Sequence, residues 1–114
     1  MGINNFIARE KSMDLVVHIY AYTRLLPPDE KFVMVPQLRR AVLSILLNLS
    51  EGYGRSSKPD FARFADIALV SAREAHAILE VCQRLGYSDP NNEIELTDEV
   101  IRILLGLIRS LRKS

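Results

Sequence analysis

Apolar residues recur along most of the chain at the three- and four-residue spacing of α-helices. In the first segment Val16, Val17 and Tyr20 follow this spacing, which is typical of a helix with one buried face. No stretch alternates apolar and polar residues with the two-residue period of a β-strand. The pattern therefore predicts an all-α protein.

Breaks in this pattern divide the chain into four helices. Two prolines follow Leu26 and stop the first helix, because proline cannot continue a helix and restricts the residue before it. Pro36 suits the first turn of a second helix, Gly86 the end of a third, and Thr97 with two acids after it the start of a fourth. The predicted helices cover residues 5–26, 36–53, 58–85 and 97–113, with "SDPNNEIEL" as the last connection.

Four helices joined by short connections favour an antiparallel up-down-up-down four-helix bundle. A chain of 114 residues is long enough to bury one core and too short for two. We therefore predict a single domain that spans residues 1–114.

The second helix is apolar around most of its circumference. Such a helix is buried on nearly all sides, whereas each helix of an isolated four-helix bundle keeps one face in water. The excess apolar surface favours a homo-oligomer. The alternative is that Leu43 and Leu47 are ordinary exposed leucines.

A narrow line of polar residues follows the same helix at steps of three and four. An unpaired polar group in a buried position costs about 1–3 kcal/mol, so this line needs partners, and Glu74 on the third helix is one candidate. The line has three interpretations: a network that sets helix register or subunit orientation, a groove for a ligand, or plain exposure to solvent. Its members are Gln37, Arg40, Ser44, Asn48 and Glu51.

The stretch "EGYGR" follows directly on this apolar run. Its glycines, Gly52 and Gly54, are predicted to end the second helix. Their number and spacing do not match a phosphate-binding loop.

Residues suited to catalysis or metal binding are few and scattered. His18 and His76 lie on different helices, and each lacks a second histidine at the spacing of a metal site. The single Cys82 allows no internal disulfide and is predicted to be a core residue. We therefore expect no enzyme, no metal and no cofactor.

Composition and the first residues of the sequence indicate where in the cell the protein is located. Apolar residues make up 48% of the chain and charged residues 25%, as in ordinary soluble domains. No apolar stretch reaches the roughly 20 residues of a membrane span, and no signal peptide is recognisable at the start. The expectation is a cytoplasmic protein without a membrane partner.

Two motifs in the middle of the chain point to a family. Residues 37–41 read Q-L-R-R-A, and residues 44–55 read S-x-x-x-N-x-x-E-G-Y-G-R, followed by a helix start rich in phenylalanine. Together they resemble the four-helix-bundle family encoded in intervening sequences of bacterial 23S ribosomal RNA genes. That family is related to the accessory variability determinants of diversity-generating retroelements. The resemblance covers residues 5–112, and Val70 departs from it, because the family usually has glycine there.

The resemblance implies a homopentameric barrel without enzymatic activity. The retroelement branch of the family binds nucleic acid and a reverse transcriptase, so RNA, DNA and a reverse transcriptase are the expected partners besides a second copy of the chain. Beyond the motifs above, the family pattern also matches Ser71 and Glu74 on the third helix.

Two functions remain open at this point. The first is nucleic-acid binding, because residues 36–73 carry six cations against three carboxylates and the C-terminus is basic. The second is an interaction scaffold that docks a reverse transcriptase, which the net charge of +1 fits equally well. An enzyme is the weakest alternative. The residues predicted to bind nucleic acid are Arg39, Arg55, Lys58, Arg63, Arg109, Arg112 and Lys113.

Overall fold

The protein is a four-helix bundle. The computed structural model describes the backbone of residues 3–113 and the side chains of residues 6–113, so residues 1, 2 and 114 of the predicted domain lie outside the described residues. Over residues 3–113 the chain forms four α-helices and no strand. They are α1 (Ile3–Thr23), α2 (Met34–Tyr53), α3 (Lys58–Arg84) and α4 (Asn91–Leu111), with a short 3₁₀ turn at Pro28–Glu30.

The end of α1 lies three residues before the predicted end at Leu26. Backbone hydrogen bonds three residues apart continue through Arg24, Leu25 and Leu26, so the last turn tightens before the prolines rather than stopping. Helix α2 begins at Met34, two residues earlier than predicted, which leaves Pro36 within its first turn.

Both ends of α3 have clear local causes. Ser57 caps the start of the helix, since its Oγ accepts the backbone N–H of Asp60 at 3.2 Å. At the other end Gly86 has a φ of 76°, a conformation that glycine adopts without the strain imposed by a Cβ. The N–H of Tyr87 reaches back to the carbonyl of Cys82 at 3.0 Å, which completes a Schellman motif.

Helix α4 begins at Asn91, six residues before Thr97, so the predicted start is wrong. The carboxylate of Asp89 accepts the backbone N–H of Asn91 at 2.9 Å and satisfies a free donor of the first turn. Thr97 is instead fully buried inside the helix and donates its hydroxyl to the carbonyl of Glu93 at 2.7 Å. A threonine before two acids resembles a helix start in sequence, but here it occupies a core position.

Each helix packs against two others, in the pairs α1–α2, α2–α3, α3–α4 and α1–α4. The molecule measures 47 × 22 × 18 Å. Helices α1, α2 and α4 fill the core mainly with leucine, isoleucine and valine, whereas α3 contributes a stripe of small residues. The fully buried alanines of this stripe are Ala62, Ala65, Ala68, Ala72 and Ala75. Within the described residues, no helix has the length and apolar content to cross a membrane.

Candidate nucleic-acid interface

The connection between α2 and α3 holds two arginines against one aromatic ring. The guanidinium carbon of Arg55 lies 4.8 Å from the ring centroid of Phe64, and that of Arg63 lies 4.5 Å from it. Both distances fall within the range of cation–π contacts. Phe64 therefore contacts both guanidinium groups.

Carboxylates on either side of the turn complete this arrangement. Arg55 pairs with Glu51 at 2.8 Å and with Asp60 at 3.7 Å, and Arg63 pairs with Asp60 at 3.0 Å. These ion pairs are well exposed, so each contributes little to stability. Their effect is to restrict where the guanidinium groups lie.

The C-terminal turn of α4 adds further cations to the same region. Arg112 forms an ion pair with Asp66 of α3, which brings the end of α4 beside the first half of α3. Arg109 and Lys113 lie within one turn of Arg112 and are exposed. We call this region the basic end. Its cations are Arg55, Lys58, Arg63, Arg109, Arg112 and Lys113.

Arg39 lies apart from the basic end, although it was predicted with these residues. Its Nε donates to Thr23 Oγ1 at 2.8 Å, and a terminal nitrogen donates to the carbonyl of Tyr20 at 3.3 Å. The guanidinium carbon also lies 4.4 Å from the centre of the Tyr20 ring. Arg39 thus ties α2 to the last turn of α1 through two of its nitrogens.

The predicted polar line is divided into separate groups. Gln37 donates to Glu74 across α2 and α3 at an exposed position. Further along, Ser71 Oγ donates to Ser44 Oγ at 2.8 Å, and Asn48 Nδ2 donates to the Ser44 carbonyl at 2.8 Å.

The remaining members of the line lie outside these two groups. Glu51 belongs to the basic end through Arg55. Arg40 is exposed and forms no hydrogen bond or ion pair among the described residues. The line is therefore two cross-helix links rather than one continuous network.

Gly52 is inside α2 and buried, so its predicted role in ending the helix is wrong. A Cβ at this position would lie 2.7 Å from Cδ1 of Phe61 and 2.9 Å from Cβ of Phe64. Gly52 therefore permits the close approach of α2 and α3. Gly54 is the residue directly after the helix, with an ordinary negative φ.

The opposite end of the bundle is tied together by two tyrosine hydroxyl groups. The hydroxyl of Tyr22 donates to the carbonyl of Ser88, and that of Tyr87 donates to Glu30 at 2.7 Å. Burial raises the pKa of Tyr22, and the hydrogen bond to Glu30 raises the pKa of Tyr87. Burial likewise raises the pKa of the Cys82 thiol, which contacts Met34 Sδ at 3.2 Å. All three groups stay protonated near neutral pH, and Cys82 is a core residue.

Three residues of the basic end were not anticipated from the sequence. Phe64 supports the arginines, while Asp60 and Asp66 orient them. Asp60 was recognisable in principle, because it stands three residues before Arg63 on one helix. Asp66 was not, because its partner lies on α4.

Comparison with known proteins defines the class and then the family. The fold is that of an all-helical four-helix bundle, and the model of the 23S rRNA-intervening sequence protein family matches residues 4–109. The chain belongs to this family, which confirms the resemblance found in the sequence.

A solved structure supports the same assignment. A crystal structure of a protein of unknown function from the S23 ribosomal protein family of Bacteroides thetaiotaomicron has a TM-score of 0.84 and 26% sequence identity, over 94% of this chain and 99% of that one. No curated protein matches the chain. The relation to retroelement accessory proteins stays a prediction.

Proposed function

We propose that the protein is a non-enzymatic, cytoplasmic homo-oligomer that binds RNA or DNA as an accessory protein through its basic end. The observation that carries this proposal is the gathering of six cations against three carboxylates, Glu51, Asp60 and Asp66. The whole chain has a net charge of +1. The remainder of the chain is therefore net negative, and phosphates are attracted to this end.

The chemistry of the basic end suits a phosphate backbone. Two guanidinium groups contact the Phe64 ring, and planar guanidinium groups bind phosphate oxygens with two parallel hydrogen bonds. Lys58, Arg109 and Lys113 are exposed and take part in no ion pair among the described residues. RNA is the first target to test, because the structural relative is named for a ribosomal protein family.

Assembly would multiply this charge. The link between Ser44 and Ser71 and the contact between Gly52 and Phe61 pair later positions of α2 with earlier positions of α3. This pairing supports an antiparallel, up-down-up-down arrangement.

On the outer surface of the same helices Leu47 is 63% exposed, Ile67 40% and Val70 66%. We name Leu47, Ile67 and Val70 the α2–α3 apolar patch; it supports a homo-oligomer, for which a pentameric ring is the proposal.

Fluorescence anisotropy with single-stranded RNA and duplex DNA tests nucleic-acid binding. A protein with six or more phosphate contacts loses about a thousandfold in affinity between about 50 and 200 mM salt. We expect a triple variant, Lys58→Ala, Arg109→Ala and Lys113→Ala, to bind more weakly and with a smaller salt dependence.

A second triple variant serves as the matched control. Arg24→Ala and Lys31→Ala in the connection after α1, together with Arg84→Ala at the end of α3, remove three exposed cations from the opposite end of the bundle. This control is expected to bind like wild type. Absence of binding at low salt, or equal losses in the two triple variants, would rule out the basic end as the interface.

The second candidate function is an interaction scaffold that docks a reverse transcriptase or another protein. The α2–α3 apolar patch favours it, because exposed aliphatic side chains gain from burial against a partner. A pull-down from native cells, analysed for RNA and for protein, separates the two candidates. Recovery of a protein partner without RNA supports the scaffold, and recovery of RNA supports nucleic-acid binding.

A further inference from the structure

A cavity of about 240 Å³ lies where all four helices meet near Tyr53. Its inner walls are the buried side chains of Leu49, Phe61 and Leu107. Tyr53, Ser50 and Arg9 line it where it opens towards solvent. The lining thus changes from wholly apolar at the back to polar and cationic at the mouth.

The aromatic wall of the cavity is held in place by its neighbours. The Phe61 ring packs edge-on against Tyr53 with their centroids 6.2 Å apart. The same ring fits against Gly52, where a Cβ would collide with it. The wall is therefore fixed before any ligand binds, which lowers the entropy cost of binding.

The mouth of the cavity offers one positive charge. Arg9 pairs, among the described residues, with its exposed sequence neighbour Glu10 at 3.1 Å. Such an exposed pair contributes little, so the guanidinium group remains available to a stronger acceptor. A carboxylate at the mouth would gain a charge-assisted hydrogen bond from Arg9.

The volume limits the ligand to a small molecule. An apolar cavity of about 150 Å³ holds benzene, so about 240 Å³ holds about ten non-hydrogen atoms. Apolar walls exclude sugars and nucleotides, whose polar groups would lose their hydrogen bonds with water. An aliphatic chain that ends in a carboxylate matches the size of the cavity, its walls and the charge at its mouth.

We propose that this cavity binds a medium-chain carboxylate of about the size of octanoate, with the chain against Leu49, Phe61 and Leu107 and the carboxylate at Arg9. None of the cations of the basic end lines this cavity. The charge-removing triple variant and Arg9→Gln therefore test the two proposals through different residues.

Calorimetric titration of the full chain with sodium octanoate and with 1-octanol tests the proposal. We expect saturable binding of one octanoate per chain. The Arg9→Gln variant is expected to bind octanoate about tenfold more weakly, as when one hydrogen bond to a charged group is lost. Its affinity for the uncharged octanol is expected to remain that of wild type, a difference that a purely structural role of Arg9 would not produce.

A variant that closes the mouth provides the second arm. Ser50→Leu places a larger side chain at the rim and is expected to weaken octanoate binding at least about tenfold, because it occupies the entrance. Ser110→Leu is the matched control at an exposed helical serine outside the cavity and is expected to bind like wild type.

Nuclear Overhauser effects between octanoate and the methyl groups of Leu49 and Leu107 locate the ligand in the wild-type protein, even if Ser50→Leu does not fold. Their presence supports the proposal. Three results would overturn it: no saturation at millimolar octanoate, binding that Ser50→Leu leaves unchanged, or binding that dissociates an oligomer. The last result would mean that a second copy of the chain covers the cavity.

Discussion

The outer face shared by α2 and α3 and the outer face shared by α1 and α4 meet water in different ways. Along α1 and α4 runs an open groove of about 650 Å³. Its side chains are almost all charged or polar: Lys11, Asp14, His18, Asn92, Glu93, Glu95, Asp98, Glu99 and Arg102, besides Leu96. Along α2 and α3, by contrast, the α2–α3 apolar patch is exposed while nearby polar groups, Ser44, Asn48 and Ser71, bond to one another.

This difference indicates which face is suited to contact another chain. Removing charged carboxylates from water is costly, so the α1–α4 face is stable as a solvated surface. Burial of aliphatic surface contributes about 25 cal/mol for each Å², and Ser44, Asn48 and Ser71 beside the α2–α3 apolar patch already bond to one another. Of the two, the α2–α3 face is therefore better suited to the proposed contact with a second copy of the chain.

The largest expected effect follows from placing a charge in the α2–α3 apolar patch. Leu47→Glu is expected to abolish the proposed homo-oligomer, because the carboxylate would be buried unpaired at the proposed subunit contact. Light scattering coupled to gel filtration measures the mass. Leu25→Glu is the matched control: the same substitution at a leucine that is also 63% exposed but lies in the connection after α1. A monomeric wild type, or dissociation of both variants alike, would contradict the assignment of this face.

A smaller effect is expected where α2 and α3 approach most closely. Gly52→Ala forces a Cβ to within 2.7 Å of the Phe61 ring and is expected to lower the free energy of unfolding by about 1–3 kcal/mol, a typical cost of overpacking. A Cβ at Gly106 in α4 would lie in open space. Gly106→Ala is therefore expected to raise the free energy of unfolding by about 0.5–1 kcal/mol, because alanine favours a helix more than glycine.

Urea denaturation at equal protein concentration measures both glycine variants. If Gly52→Ala proved as stable as wild type, the contact between Gly52 and Phe61 would be loose. The close packing of α2 against α3, which distinguishes this side of the bundle, would then be contradicted.

The smallest effect concerns two buried hydroxyl groups. Ser71 bonds across to Ser44 on α2, whereas Thr97 bonds to the carbonyl of Glu93 within its own helix. Ser71→Ala is expected to cost about 1 kcal/mol, the net value of one hydrogen bond. Thr97→Val is expected to cost less, because the Glu93 carbonyl that loses the threonine hydroxyl keeps its backbone hydrogen bond within α4. The same urea curves measure both, and a larger loss for Thr97→Val would contradict this ranking.

The sequence predicts the number of helices well because each helix carries its own apolar period. Helix ends that depend on local chemistry, such as Gly86 after α3, are also readable from the sequence. The start of α4 cannot be read from the sequence in this way, because a threonine before two acids suits both the start of a helix and a core position. Only packing against other helices decides between them, and Thr97 is buried.

The candidate site was predictable only in part, for a related reason. The cations at the end of α4 and around the α2–α3 turn are visible as a charge pattern, but their partners are not. Arg39 looks in sequence like any other cation of the second helix, yet it donates hydrogen bonds to Tyr20 and Thr23 of α1. Gly52 looks like a helix terminator, and its role appears only beside Phe61. Contacts between helices are the part that periodicity does not encode.

The alanine stripe of α3 has a consequence for how this protein tolerates sequence change. Leucine and isoleucine positions in α2 and α4 accept replacements of similar volume at modest cost. The fully buried alanines, among them Ala65, Ala68 and Ala72, leave no volume for a larger residue. In a complete substitution library of the chain, we expect the smallest core side chains to be the least replaceable, so that α3 evolves under a limit on size rather than on hydrophobicity.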